Sequence, residues 1–211
     1  MIPAVDTNAA RLYAIVAREA RKAVVLRRGP ARQVLLLTWD LKTDVLTPGQ
    51  WLKGRIYERR CDLTPDGELL VYFAATHRPP MYSWTAVSRP PWLTALVLWK
   101  KGDCWGGGGL FESRSRLLLN HAPSTLVGRL RRAPGYPLPP GLEVEPLGDH
   151  PGRGEDSPIL DMRENRDGWK LIEEGGPTTW SKGGILLKSE PPVISEKQSG
   201  RHRLWLRRLT H

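Results

Sequence analysis

Residues that staple a fold or hold a metal are scarce in this chain. Of 211 residues only two are cysteine, Cys61 and Cys104, too few for a disulfide framework. Neither belongs to a C-x-x-C pair or stands near a His cluster with zinc-ligand spacing. This excludes a disulfide-stapled module and sets a reducing, cytoplasmic setting as the expectation. Long apolar runs are missing too: nothing approaches the roughly 18 residues of a membrane span. Charges recur from Arg11 onward and interrupt the N-terminal segment before a signal peptide can form. A soluble chain with no membrane partner is expected.

Catalytic motifs are absent as well. His77, His121, His150, His202 and His211 are dispersed, with no H-x-x-x-H or H-E-x-x-H pair, and no G-x-S-x-G elbow is present. The glycine-rich GDCWGGGG (102–109) lacks the G-x-x-x-x-G-K-[ST] pattern and no predicted helix follows it to supply a dipole, so its glycines read as sites of close backbone approach. No metal and no cofactor is expected, and the reading leans away from an enzyme. Cys104, beside Asp103 and Trp105, would act as a nucleophile only with a His brought to it from elsewhere in the chain, and a lone cysteine is more often a small buried residue. An undetected hydrolase built on Cys104 or His77 with a nearby carboxylate stands as an alternative.

What is present is aliphatic, basic and rich in turns. Hydrophobic residues make up 40%, enough for a real core. The net charge is +10, which brings acidic partners, nucleic acid among them, into consideration. The excess lies in residues 1–125, with 18 Lys and Arg against 10 Asp and Glu, but it is scattered as Arg21-Lys22, Arg27-Arg28, Arg59-Arg60 and Lys100-Lys101. Such scatter is the usual composition of a solvated surface.

Short runs rich in Val, Leu, Ile, Tyr, Phe or Trp, each bounded by turn residues, predict strands at 12–17, 22–29, 33–40, 54–60, 68–75, 93–102, 108–111 and 115–121. Residues 122–158 are dense in Pro and Gly, which bars a central strand and predicts an irregular connection. From 159 to 211 a strand-and-turn rhythm resumes, with Asp167-Gly168 and Gly183-Gly184 as tight turns and GRHRLWLRRLTH either as a strand within a sheet or as the start of a longer architecture. The expected organisation is β repeats over 1–121, the connection over 122–158, and further strands over 159–211 packed on the same domain.

QVLLLTWDLKTDVLTPGQWL (33–52) and TALVLWKKGDCWGGGGLF (94–111) share a form: an aliphatic run, a Trp, a charged turn, then a second strand. They read as one hairpin written twice. Between them, Pro65-Asp66-Gly67 makes a turn into ELLVYFAA. The segment DLTPDGELLVY resembles the repeat of TolB-like and WD-repeat β-propellers, and LLLTWDLKTD resembles the Trp-Asp strand of the latter. Residues 33–120 are also similar to a group of uncharacterised bacterial proteins carrying GRIYERRCDLTPDG, SRPPW and LWKKGDCWGGGGLF. The resemblance implies an all-β fold, a stack of antiparallel sheets like propeller blades. Blades take roughly 40–50 residues and closed propellers have about four to eight of them, so a small or incomplete propeller-like fold is expected, completed by a partner or a second copy.

Two segments are candidate binding surfaces. If GRIYERR is a strand, Arg55, Tyr57 and Arg59 share one face, where two guanidinium groups around a phenol would hold a phosphate or carboxylate. MYSWTAVSRPPW (81–92) reads as a Pro-bounded loop carrying Tyr82, Trp84, Arg89 and Trp92, a mixture suited to recognition. Trp39 and Trp99, at equivalent places in the two hairpins, read as core. The leading function is a non-enzymatic interaction or scaffold module for a protein or acidic ligand. The alternative is a nucleic-acid-binding protein that stacks bases on exposed Trp within a basic surface.

Overall fold

The structure, a computed structural model, describes residues 10–29, 32–121, 132–147, 158–167, 170–171, 179–182, 185–188 and 205–208. Four sheets follow one another along the chain. The first is an antiparallel meander of β1 (Arg11–Val16), β2 (Lys22–Gly29), β3 (Gln33–Asp40) and β4 (Val45–Lys53), ordered as numbered. The β3–β4 turn is local chemistry: the Asp40 carboxylate accepts the Lys42 and Thr43 N–H groups at 2.7 and 3.1 Å. Those N–H groups hold its carboxyl below the ordinary range.

The second sheet contains β5 (Arg55–Ile56), β6 (Asp62–Leu63), β7 (Leu70–Ala75), β8 (Ser83–Ser88) and β9 (Ala95–Lys100), in the order β5-β7-β8-β9 with β6 also paired to β7. The Pro65-Asp66-Gly67 turn joins β6 to β7 as expected. Its hinge is Thr64, whose Oγ1 accepts the Glu68 and Leu69 N–H groups and lies 2.7 Å from Asp66 Oδ1. The third sheet is β10 (Gly109–Phe111), β11 (Arg116–Leu119) and β12 (Glu143–Pro146), with β11 and β12 parallel. The fourth is β13 (Lys170–Leu171), β14 (Thr179–Lys182), β15 (Ile185–Lys188) and β16 (Trp205–Arg208), all antiparallel. No sheet closes on itself among the described residues.

Strands buried on both faces read as continuous aliphatic runs, and the cores of β2, β3 and β7 are of this kind; β8, SWTAVS, is buried throughout without being one. One face of the first sheet (Val24, Leu26, Val34, Leu36) packs on Leu70, Tyr72, Ala74 and Ala86 of the second. The other face of the second sheet (Val71, Val87, Val97, Trp99) packs on Phe111, Leu117 and Leu119 of the third. The first three sheets are therefore stacked face to face.

The all-β expectation holds for the sheets, and four local expectations are corrected. GRIYERR is not a continuous strand: β5 ends at Ile56, and Glu58–Arg60 form one turn of 3-10 helix. The stretch 94–111 is not a hairpin, because β9 pairs β8 in the second sheet while β10 pairs β11 in the third. Gly106, Gly107 and Gly108, all at positive φ, turn the chain from one sheet to the next. MYSWTAVSRPPW is not a loop throughout, since every residue of β8 within it is buried. Finally, 159–176 does not open on a strand: α1 (Pro158–Asp167) is a helix, held by Arg163 on the Cys61 carbonyl and the Tyr13 hydroxyl.

The Pro/Gly-rich stretch contributes β12, an edge strand, where proline is tolerated. WLRR (Trp205–Arg208) does pair in a sheet, as β16 against β15. The expected turns at Gly168 and at Gly183-Gly184 lie outside the described residues. Among the described residues no helix is long and apolar enough to cross a membrane.

One buried imidazole ties stability to pH. His121 is 7% exposed and its Nε2 lies 2.8 Å from Thr85 Oγ1. Burial, reinforced by the Lys101 charge and opposed by that of Asp103, pushes it down to about 4. Its unfolded value is about 6.5, so the unfolded state binds the proton first on acidification. The stability contributed by the neutral ring is complete above about pH 6.5 and is lost as the pH falls from there to about 4. Denaturant titrations at pH 7 and pH 4 should differ by about 3 kcal/mol more in the wild type than in His121→Gln. Equal differences in the two proteins would refute this assignment.

Candidate functional site

The short β5 and the 3-10 turn after it carry the most concentrated chemistry of the molecule. Their backbone is set by β7: Arg55 lies opposite Ala75, and the Tyr57 N–H donates to Phe73 O at 2.9 Å. Tyr57 is thereby laid on the Phe73 ring, with centroids 5.2 Å apart. Two guanidinium groups sit over the same phenol, Arg55 at 4.6 Å and Arg60 at 4.9 Å from the ring centroid, a cation–π arrangement.

Beside this stack opens a hollow of about 170 Å³ walled by Arg11, Arg28, Arg55, Arg59 and Arg60, with Tyr13, Tyr57, Leu12 and Glu58. Among the described residues that line it, five are arginine and one, Glu58, is a carboxylate, which Arg28 approaches at 3.9 Å. The β1–β2 register places Arg11 directly opposite Arg28. Like charges so placed repel one another, and an anion between them relieves that repulsion.

Arg60 has a different role from its neighbours. It is 1% exposed and donates from Nη1 to Cys104 O at 2.9 Å and to Gly106 O. Burial pulls its guanidinium below the ordinary value, against the opposing pull of Tyr57 and Cys104. It fixes the 101–108 turn to the floor of the hollow. Burial, and then the adjacent Cys104 thiol, push the Tyr57 phenol up to about 12, so the phenol is neutral at physiological pH.

Of the residues proposed from the sequence, Arg55, Tyr57 and Arg59 do meet at one site, but through a turn and not along a strand face. Tyr82 stands at the same end of the second sheet, next to Ser83, which pairs Ala75 as Arg55 does. Tyr82 is 42% exposed, and its ring meets His77 edge-on at 5.5 Å. Arg89 and Trp92 are exposed but follow Ser88, at the opposite end of β8. The Pro91 carbonyl there accepts the Gln50 N–H of β4 at 3.0 Å. Trp84 is corrected: at 6% exposure it belongs to the core between the first two sheets. Trp39 and Trp99 are buried as expected.

Sequence reading missed Arg11, Arg28 and Arg60 as members of the site. The first two are recoverable once the β1–β2 register is known. Arg60 carries no such signal, because the strand expectation puts it on the face opposite Tyr57. It also missed that His77 Nδ1 lies 3.9 Å from Cys104 Sγ. No group of three or more His, Cys, Asp or Glu suited to a metal occurs among the described residues. No family model, curated protein or solved structure matches this chain.

Proposed function

We propose that this protein is a binding module that takes an acidic ligand, the anionic group of a small molecule or of a protein partner, into the hollow lined by Arg11, Arg28 and Arg55. The observation that carries this reading is the set of five arginines around about 170 Å³ with one carboxylate among them. Guanidinium forks bind phosphate and carboxylate through paired N–H donors. A propeller-like arrangement is the scaffold reading that goes with it. Its support is the succession of meandering sheets, the first three stacked face to face, together with the resemblance of DLTPDGELLVY to propeller repeats.

Titration with pyrophosphate tests the hollow. Binding should weaken with added salt, and the Arg11→Ala/Arg28→Ala double variant should bind at least about tenfold more weakly. Unchanged affinity would overturn the reading. Nucleic acid is the competing ligand, because Trp51, Trp92 and Trp105 are about half exposed and Arg27 stands 5.9 Å over the Trp51 ring. Single-stranded oligonucleotide binding that survives the double variant but is lost in Trp51→Ala would move the site from the hollow to that indole.

A further inference from the structure

Cys104 and His77 come from two separate turns that the fold brings together at the end of the second sheet carrying Arg55 and Tyr82. His77 Nδ1 and Cys104 Sγ are 3.9 Å apart, and Cys104 packs against the buried Tyr57, Phe73 and Ala75. Both turns are held in place. The 101–108 turn is fixed by Arg60 on the Cys104 carbonyl, by the Ser83 hydroxyl on the Asp103 carbonyl, and by the Lys101–Asp103 ion pair at 2.8 Å. The His77 turn is closed by the Thr76 and His77 N–H groups donating to Tyr82 O at 3.0 and 3.1 Å. His77 itself has φ 56°, a left-handed conformation that side-chain-bearing residues adopt at a cost and that recurs at functional sites.

We infer that Cys104 is a nucleophilic thiol with His77 as its proton acceptor, and that it forms mixed disulfides with small disulfide-containing molecules. The proposal is independent of whether the hollow binds an anion. Charged and titratable groups around the sulfur are His77, Tyr57, Arg60, Lys101 and Asp103, with Arg55 beyond the phenol. Cys104 is half-buried and so accessible, whereas Cys61 is wholly buried and burial pushes its thiol up to about 12.

In the reaction His77 takes the Sγ proton and the thiolate attacks one sulfur of R–S–S–R. A Cys104 S–S bond forms as the original S–S bond breaks. The leaving thiolate accepts the proton from His77, so Cys104 is oxidised while the small disulfide is reduced to R–SH.

The full-length protein is treated with iodoacetamide, and separately with oxidised glutathione, and the labelled peptides are identified by mass. Label and mixed disulfide should both appear on Cys104, with Cys61 unmodified. His77→Gly suits the left-handed turn and should slow alkylation at pH 6.5 about tenfold, with added imidazole restoring part of the rate. His77→Asn, which also tolerates this backbone, should be slowed to a similar extent. Equal rates in wild type and both variants, or modification of Cys61 in place of Cys104, would overturn the proposal.

Discussion

Asp62→Ala should lower the free energy of unfolding by about 3–5 kcal/mol, measured by urea denaturation. Asp62 is 1% exposed and its carboxylate joins three elements. Its Oδ2 accepts the Phe111 N–H of β10 at 2.7 Å and Arg166 Nη1 of α1 at 2.7 Å, and its Oδ1 accepts Arg166 Nη2 at 3.1 Å. Truncation takes the carboxylate away from a largely buried guanidinium and from a buried backbone donor, and removing one partner of such a pair costs far more than the pair contributes when intact. Arg166 still donates to the Phe111 carbonyl at 2.6 Å, so the loss should not exceed this range. The two groups act as a unit, so Asp62→Ala/Arg166→Ala should be destabilised by at least about 1 kcal/mol less than the sum of the single variants. Strict additivity would show that the ion pair contributes nothing of its own.

Gly108→Ala should be at least as damaging, about 4 kcal/mol or more, and Gly102→Ala is its internal control. Both glycines have φ +82°, so an alanine at either meets the same left-handed backbone penalty of about 1–2 kcal/mol. At Gly102 an added Cβ would have nothing within 4 Å, whereas at Gly108 it would lie 2.0 Å from the Arg60 carbonyl oxygen and 2.8 Å from Arg60 Cβ. That neighbour is backbone, and the Arg60 side chain is anchored by the Cys104 and Gly106 carbonyls, so relief requires the 101–108 turn to move. Gly108→Ala should therefore also displace Cys104 from His77 and alter its alkylation rate, while Gly102→Ala leaves that rate unchanged. Similar melting temperatures for the two variants would show that close approach is not what selects glycine at 108.

The central strands β2 and β3 of the first sheet were legible because their residues announce burial on two faces: AVVL in β2 and VLLL in β3 leave no room for a polar face. The turn at Pro65-Asp66-Gly67 was legible for the reason turns usually are, a fixed φ next to a residue that bonds its own backbone. The β8 strand was hidden. Ser83, Thr85 and Ser88 make it look like a loop, yet Ser83 and Thr85 are satisfied inside the protein, by the Asp103 carbonyl and by the Gly108 N–H and His121. Partners so distant in sequence leave no local trace. The helix α1 was hidden for a related reason: nothing local marks Arg163 and Arg166 as anchors, and only the tertiary fold shows them docked on Cys61, Tyr13 and Asp62. Within the candidate site, residue types were readable from the sequence and their geometry was not. Alternation places Arg59 beside Tyr57, whereas the 3-10 turn puts Arg60 over the ring instead.

The outer strand of the first sheet bears on how the molecule behaves at high concentration. β4 exposes Val45, Leu46 and Trp51 along an edge that pairs with no further strand among the described residues, the arrangement by which one chain recruits another into a growing cross-β ladder. Several features oppose such recruitment. Pro48 offers no N–H, the register shift opposite Leu35 and Leu37 breaks the regular spacing, and the Gln50 N–H is already taken by the Pro91 carbonyl. The turn at 89–92, read from the sequence as a recognition surface, thus also guards the sheet against self-association.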